Sequence, residues 1–378
     1  MKITLIGFSF GRTGGIESVS RDTAAFLAAD GHDVNCIGVH DPSGAAVHGI
    51  GSATHVGLSP ARGLVRAAWY RSPLFVQRFR LMSRLPDSGV VILCHPFLLR
   101  LVHRCMGSKR AHIPTLCWLH GREVWGKCGL TVRDSLPFAT RLIAVSDYTA
   151  RTVTDLIGCT ANLSVIHNPV DTNLFTPSDT GHIRRFSILT TGRQDSDTAH
   201  KGYDTLIRCL HKLSHTHASL PLTLDVTGDG PRLRILRELA TELGVQNNVT
   251  FHGDVDRSKL VDLYRSCDIF ALPSSVIDVD GSLYGEGFGV VNIEAASCGR
   301  PVITSTHGGC PETIVDGETG MLVDPGSDDS VAAAIAKMFS LTAAERDAMG
   351  ARGRAMVIEQ FSRDRFREKL GALIQSVT

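Results

Sequence analysis

The chain has 378 residues, enough for two domains of ordinary size with separate cores, and its apolar content is that of a soluble globular protein. A formal net charge of +1 excludes a global field that would draw it to nucleic acid. No segment approaches the roughly 20 apolar residues of a membrane span, and the ten scattered cysteines, with no C-x-x-C pair, fit free thiols in a reducing cytoplasm.

The opening MKITLIGFSFGRTGG has too short an apolar run for a signal peptide and no cleavage site, so Lys2 to Gly7 reads as a first buried strand. Glu17 to Asp30 then reads as a helix closed by Gly31, and Val34 to Val39 as the next strand. Val90 to His95, Thr115 to His120 and Leu142 to Ser146 continue an α/β series of parallel strands with crossover helices. Around residues 167 to 185, HNPVDTNLFTPSDTGHIRR, apolar periodicity lapses into prolines and turn formers, the composition of a connection between domains. A second series follows, with strands at Ser187 to Thr191, Leu222 to Thr227, Val249 to Phe251, Ile269 to Leu272 and Pro301 to Thr304. Helices at Tyr203 to His215 and Pro231 to Leu243 separate some of them, and a helical tail ends the chain. Two Rossmann-like halves result, and in open α/β sheets ligands bind beyond the carboxyl ends of the strands, so a site is expected in a cleft between the halves.

One stretch stands out within the second half. GEGFGVVNIEAASCGRPVI, residues 285 to 303, places Glu286 among glycines and Glu294 one turn inside a helix expected to begin near Val290. Gly285, Gly287 and Gly289 allow close backbone approach around Phe288, and the open N–H groups of a helix start favour an anion. The arrangement suits a phosphate, with Glu294 on ribose hydroxyls and Glu286 on a sugar beyond the phosphates.

E-GFGVVNI-E resembles the E-x7-E motif of retaining GT-B glycosyltransferases, specifically glycosyltransferase family 4, the group 1 transferases. The resemblance spans nearly the whole chain: Gly14-Gly15-Ile16-Glu17 looks like the family's N-terminal glycine loop and HGREVW at 120 to 125 like its acceptor-domain histidine motif. HNPVD at 167 to 171, GDGP at 228 to 231 and GGCPE at 308 to 312 follow in order. It implies a GT-B architecture of two Rossmann-like domains, with residues 1–170 binding the acceptor and residues 171–361 the nucleotide-sugar. The last helix, about 362–378, is expected to return to the first domain. By position, Glu286 would contact hydroxyls of the transferred sugar and Glu294 the ribose. Arg193 and Lys201 match the basic pair on the diphosphate, although QDSDTAH between them is longer than the family's commonest spacing. His120 matches the histidine near the sugar, and Gly15, with Gly14, the loop whose backbone approaches the phosphates.

Breaking the bond between an anomeric carbon and a nucleoside diphosphate builds negative charge on the departing phosphate, where fixed cations and backbone donors contribute most. Arg193 and Lys201 follow the strand at 187 to 191 and supply such cations. No second carboxylate is clearly placed as a nucleophile; the resemblance implies a front-face mechanism with retained stereochemistry, in which a donor phosphate oxygen helps deprotonate the acceptor. The donor is then GDP-mannose or a UDP-sugar, the acceptor a glycan or a lipid-linked sugar, and no cofactor is needed.

Plainer readings stand beside these. Glu286 and Glu294 are otherwise a loop charge and a helix-face charge, Arg193 and Lys201 part of a surface loop, and His120 a satisfied histidine at a strand end. Gly14 and Gly15 do not fit G-x-G-x-x-G, which disfavours a nicotinamide enzyme, and Gly192 to Lys201 is not a P-loop. Asp195-Ser-Asp197 and Asp278-Val-Asp280 each read D-x-D, a metal pattern in another glycosyltransferase fold, but both lie in polar loops where turn chemistry is the simpler reading, and no metal is expected. Residues 61–85 carry six arginines among aromatics and no acid, either helices packing on the first sheet or a basic surface for anionic lipid on the inner face of the membrane. A nucleotide-sugar epimerase and a non-catalytic sugar-nucleotide scaffold are the rival functions.

Overall fold

The structure, a computed structural model, describes residues 1–12, 14–59, 80–158, 162–178, 186–195, 198–216 and 222–378. The chain divides into two compact units, Met1–Asn168 with Phe366–Thr378, and Pro169–Arg365.

Unit 1 is built on a seven-stranded parallel sheet of β1 (Lys2–Gly7), β2 (Asp33–Pro42), β3 (Thr54–Ser59), β4 (Val90–Leu93), β5 (Thr115–Leu119), β6 (Arg141–Ala144) and β7 (Leu163–Val165), in the order β3-β2-β1-β4-β5-β6-β7. β4 is an unbroken apolar run, and β1 from Ile3 and β5 throughout are buried at every position, because helices cover both faces of a parallel sheet. The helices are α1 (Gly15–Ala29), α2 (Leu99–Met106), α3 (Gly126–Val132) and α4 (Asp147–Ile157). α4 shows how locally they are fixed: the Ser146 hydroxyl accepts the Thr149 N–H at its start, and Gly158 closes it in the left-handed conformation.

Unit 2 carries β8 (Phe186–Thr191), β9 (Leu222–Thr227), β10 (Val249–Gly253), β11 (Ile269–Leu272), the hairpin β12 (Ile277–Val279) and β13 (Ser282–Tyr284), β14 (Val302–Ser305) and β15 (Gly320–Val323). Its parallel sheet runs β10-β9-β8-β11-β14-β15. Its helices are α5 (Tyr203–Thr216), α6 (Arg232–Glu242), α7 (Arg257–Ser266), α8 (Val290–Ser297), α9 (Asp328–Ser340) and α10 (Ala343–Phe361), the last begun by a reciprocal Thr342–Glu345 capping box. The HNPVD stretch anchors this unit's first segment, since the Val170 N–H donates to the Phe361 carbonyl and Asp171 takes the Arg363 guanidinium at 2.5 Å.

The last helix, α11 (Arg363–Gln375), belongs to unit 1 from Phe366 onward. Phe366 stacks on Trp118 of β5 with ring centroids 5.7 Å apart and meets Phe26 of α1 edge-on, while Arg367 pairs with Asp30.

In each sheet the strand order reverses once, between β1 and β4 and between β8 and β11. Crossovers leave such a switch point in opposite directions, which opens a crevice at the carboxyl ends of its two strands. The glycine loop follows β1, and the 192–201 loop follows β8. The stretch containing Glu286 follows β11 by way of the β12–β13 hairpin, in which Asp278 accepts the Gly281 N–H and Asp280 takes a positive φ of 53°. The second D-x-D therefore forms a hairpin turn. Asp197 of the first D-x-D lies outside the described residues, as do residues 61–79 of the basic stretch; within its remainder Leu81 and Leu85 are buried and Arg80 donates to the Leu58 carbonyl at 3.0 Å.

Candidate active site

In unit 2, Lys201 and Glu286 meet at 2.5 Å although each follows a different strand, with side chains 16% and 19% exposed. Burial alone pushes the Glu286 carboxyl up, but the Lys201 ammonium and its hydrogen bond, with the charges of His200 and Arg193, bring it below its ordinary range. Burial works against the Lys201 charge too, and Glu286 overcomes it, so the ammonium is held more firmly than in water. Tyr203 lies beside them, its phenol pushed up to about 12, chiefly by burial. Arg193 pairs with Asp195 at 2.5 Å near the surface.

The GDGP motif positions this loop. Gln194 donates its N–H to the Asp229 carbonyl at 2.9 Å, and its own carbonyl accepts the Arg232 N–H at 3.0 Å. A Cβ on Gly228 would stand 2.0 Å from the Gly192 carbonyl oxygen, and one on Gly230 2.4 Å from that of Gln194. Two glycines are required because backbone packs on backbone there. GGCPE plays the same part for the other loop: the Gly309 N–H donates to the Glu286 carbonyl at 3.0 Å, and a Cβ on Gly309 would lie 2.2 Å from the Gly287 oxygen.

α8 begins at Val290, where the motif reading puts it. Gly289 is its cap, in the left-handed conformation with φ 91°, and offers no side chain to the first-turn N–H groups. Buried Asn292 fixes this end by donating to Thr304 and Thr313, both at 2.9 Å, while Phe288 turns inward against Phe361. Gly287, Phe288 and Gly289 thus form a rigid ledge between the two glutamates. Glu294 reaches α7, where it accepts the Tyr264 hydroxyl at 3.0 Å. Burial raises its carboxyl to about 7, outweighing that bond and the Arg257 charge.

In unit 1, Gly14 caps α1, and the Glu17 carboxylate folds back so closely that a Cβ on Gly14 would lie 2.2 Å from it; a Cβ on Gly15 would meet nothing within 4 Å. Buried Asp41, at the end of β2, holds the segment leading into this loop by accepting the Ser9 hydroxyl at 2.5 Å, the Phe10 N–H at 2.8 Å and His55 Nε2 at 3.0 Å. Arg21 of α1 donates to the Phe10 and Arg12 carbonyls, both at 2.8 Å. His120 follows β5, its Nε2 3.1 Å from the Cys94 carbonyl oxygen, and the Glu123 carboxylate takes the backbone N–H groups of His120 and Gly121. Burial lowers the His120 pKa against the pull of Glu123, the Cys94 carbonyl and Glu17.

Sequence comparison matches residues 13–174 to the model of glycosyltransferase family 4 and residues 192–356 to that of glycosyl transferases group 1. The chain belongs to this family of glycosyltransferases. It is 32% identical over 285 residues, 72% of its length and 71% of the relative's, to the GDP-mannose-dependent alpha-(1-6)-phosphatidylinositol monomannoside mannosyltransferase of Mycobacterium tuberculosis. It is 32% identical over 193 residues to the D-inositol 3-phosphate glycosyltransferase of Mycolicibacterium smegmatis, covering 49% of this chain and 42% of that one. Among solved structures, Anabaena HepE in complex with UDP and glucose matches with a TM-score of 0.78 at 21% identity over 100% of both chains. Sucrose-phosphate synthase from Thermosynechococcus elongatus matches at 0.80 and 20% identity over 100% of this chain and 98% of that one.

The fold is GT-B and the protein is a sugar-nucleotide glycosyltransferase. Within the transferase, Arg193, Lys201, Glu286, Glu294 and the Gly287–Gly289 ledge gather in unit 2, and Gly14, Gly15 and His120 lie at strand ends of unit 1. Motif reading did not single out Tyr264, Asp41 or Glu123. Only Glu123 had a visible signal, its place in HGREVW; the other two reach the site from elsewhere in the chain.

Proposed function

We propose that the transferase moves a mannosyl group from GDP-mannose to a glycan or lipid-linked acceptor, with retention of anomeric configuration and without a metal. The Lys201–Glu286 pair at the head of α8 carries this reading, because it sets a firm cation and an ionised carboxylate beside open helix N–H groups. Glu286 would take hydroxyls of the mannose, Glu294 the ribose, and Arg193 and Lys201 the diphosphate. GDP-mannose is favoured over a UDP-sugar by relatives 30–32% identical over about 70% of the chain whose names carry GDP-mannose and a phosphatidylinositol mannoside.

The bond from the anomeric carbon to the β-phosphate oxygen breaks as the acceptor oxygen bonds to that carbon on the same face. The acceptor proton passes to the departing phosphate oxygen, and GDP leaves. Arg193, Lys201 and the α8 N–H groups hold the growing negative charge. Losing one such contact costs about 3 kcal/mol, or roughly a hundredfold in rate. Asp278 serves the hairpin turn and Asp195 pairs with Arg193, which supports chemistry without a divalent ion. The 61–85 stretch would rest on anionic lipid at the cytoplasmic face of the membrane, a reading that vesicle sedimentation of the whole protein tests. Among the described residues no helix is long and apolar enough to cross a membrane.

The deciding experiment supplies GDP-mannose or UDP-glucose with an alkyl α-mannoside and follows product by mass and NMR. An α-mannoside product supports the reading and a β-linkage refutes the mechanism. Conversion of the donor without acceptor to an isomeric nucleotide-sugar, with no GDP released, would mean an epimerase, and tight donor binding without GDP release or donor conversion a scaffold.

A further inference from the structure

Three histidines and a phenylalanine sit at neighbouring strand ends of unit 1: Phe8 after β1, His40 in β2, His95 after β4 and His120 after β5. The Phe8 ring stacks on His40, centroids 5.2 Å apart, and meets His95 edge-on at 5.1 Å. His95 precedes the short turn Pro96–Leu98 and caps it, its Nδ1 accepting the Phe97 N–H at 3.2 Å.

That bond fixes the tautomer. A nitrogen that accepts an N–H carries no proton, so the ring proton of neutral His95 sits on Nε2. The ring is neutral at physiological pH: burial holds its pKa at about 4, helped by His120 and opposed by Glu123. Among the described residues nothing accepts the Nε2 hydrogen. His95 therefore presents one fixed donor at the β1/β4 switch point, next to Cys94, whose carbonyl holds His120.

We propose that His95 is an acceptor-binding residue, its Nε2–H donating to the oxygen of an acceptor sugar hydroxyl. The inference rests on the reading of unit 1 as the acceptor half. The chemistry suits a neutral imidazole in this tautomer. It engages the hydroxyl through an oxygen lone pair and has no lone pair on that nitrogen to compete for the hydroxyl proton, which stays available for the departing phosphate.

Two substitutions test it. His95→Phe keeps an aromatic ring against Phe8 and removes the donor; His95→Gln restores an N–H at similar reach. With GDP-mannose and octyl α-mannoside, kcat/KM for the mannoside is expected to fall about tenfold in His95→Phe and to return to within about threefold in His95→Gln. The KM for GDP-mannose and any background hydrolysis of GDP-mannose by water stay unchanged in both variants, while the melting temperature falls in His95→Phe, which also loses the acceptor of the Phe97 N–H, and recovers in His95→Gln, whose amide oxygen can accept it. Calorimetric binding of octyl α-mannoside to the resting protein reads the same loss without turnover, so a wild-type protein that transfers nothing would sink the assigned reaction while leaving this contact measurable. Unchanged mannoside binding in His95→Phe, or an equal fall in donor hydrolysis and mannoside transfer, overturns the proposal.

Discussion

Lys201 Nζ and Glu286 Oε1 lie 2.5 Å apart, joined across 85 positions of sequence by the loops that follow β8 and β11. The pair sets the charge of both partners, and each is left exposed to its buried surroundings when the other is removed. Lys201→Ala should lower kcat/KM by at least about a hundredfold, through loss of the cation proposed to hold the diphosphate. It should also move the acid limb of the rate profile upward, because burial raises the Glu286 carboxyl once the ammonium is gone. Steady-state rates between pH 4.5 and 8 read both effects.

Glu294 gives a second, opposite pH signature. Its carboxyl stands at about 7 in the ligand-free protein, raised by burial despite the Tyr264 hydroxyl and the Arg257 charge. In the role proposed for Glu294, ribose hydroxyls donate to its carboxylate, so nucleotide binding should lower this pKa and release a proton. Affinity for GDP-mannose, which itself does not titrate there, should rise from pH 6 to about 7 and then level. Glu294→Gln should bind more weakly and show no such rise in calorimetric titrations.

Gly309 has an ordinary φ of −86°, so an alanine there suffers no backbone strain; its difficulty is the Gly287 oxygen 2.2 Å from the new methyl. Gly309→Ala should displace the ledge before α8, cost about 1–3 kcal/mol of stability and lower kcat/KM at least tenfold. Gly371→Ala is the control. Its Cβ meets nothing within 4 Å, and replacing glycine in the middle of α11 should stabilise by about 0.5–1 kcal/mol. Thermal melts and rates on both variants separate steric displacement from a general glycine effect.

Much of the architecture was legible because parallel strands buried on both faces read as plain apolar runs. β1, β9 and β11 were delimited to the residue, and α8 was placed at its first position. β3, THVGLS at the sheet edge, was not recognised because its first half is polar and partly exposed, and β15 is four residues long after a turn. The β12–β13 hairpin looked like a loop carrying D-x-D. At the site, residues that share a motif were found together, whereas Tyr264 and Asp41 were not. Their partners lie 14 to 32 positions away, and such pairings follow from packing rather than local pattern.

Asp41 offers a test of that hidden layer. Burial would raise its carboxyl, but His55, the Ser9 hydroxyl and the Phe10 N–H bring it down to about 2. A depressed carboxylate adds stability above its unfolded value near 4 and loses it as pH falls toward 2, here about 2 kcal/mol. Asp41→Asn should lose that contribution at pH 7 and show a shallower acid transition between pH 4 and 2, followed by circular dichroism.

Metal removal completes the set. Dialysis against EDTA should leave initial rates within twofold, and added magnesium or manganese should not raise them; a tenfold loss restored by either ion would return the D-x-D carboxylates to consideration.

The placement of Phe366 against Trp118 and Phe26 has a consequence for biosynthesis. During translation the second half can complete its core as soon as its own residues emerge, whereas the first must keep one flank uncovered until the closing helix leaves the ribosome. The half made first is finished last, and the nascent chain spends most of its synthesis with an aromatic face unshielded, a natural point for chaperone engagement.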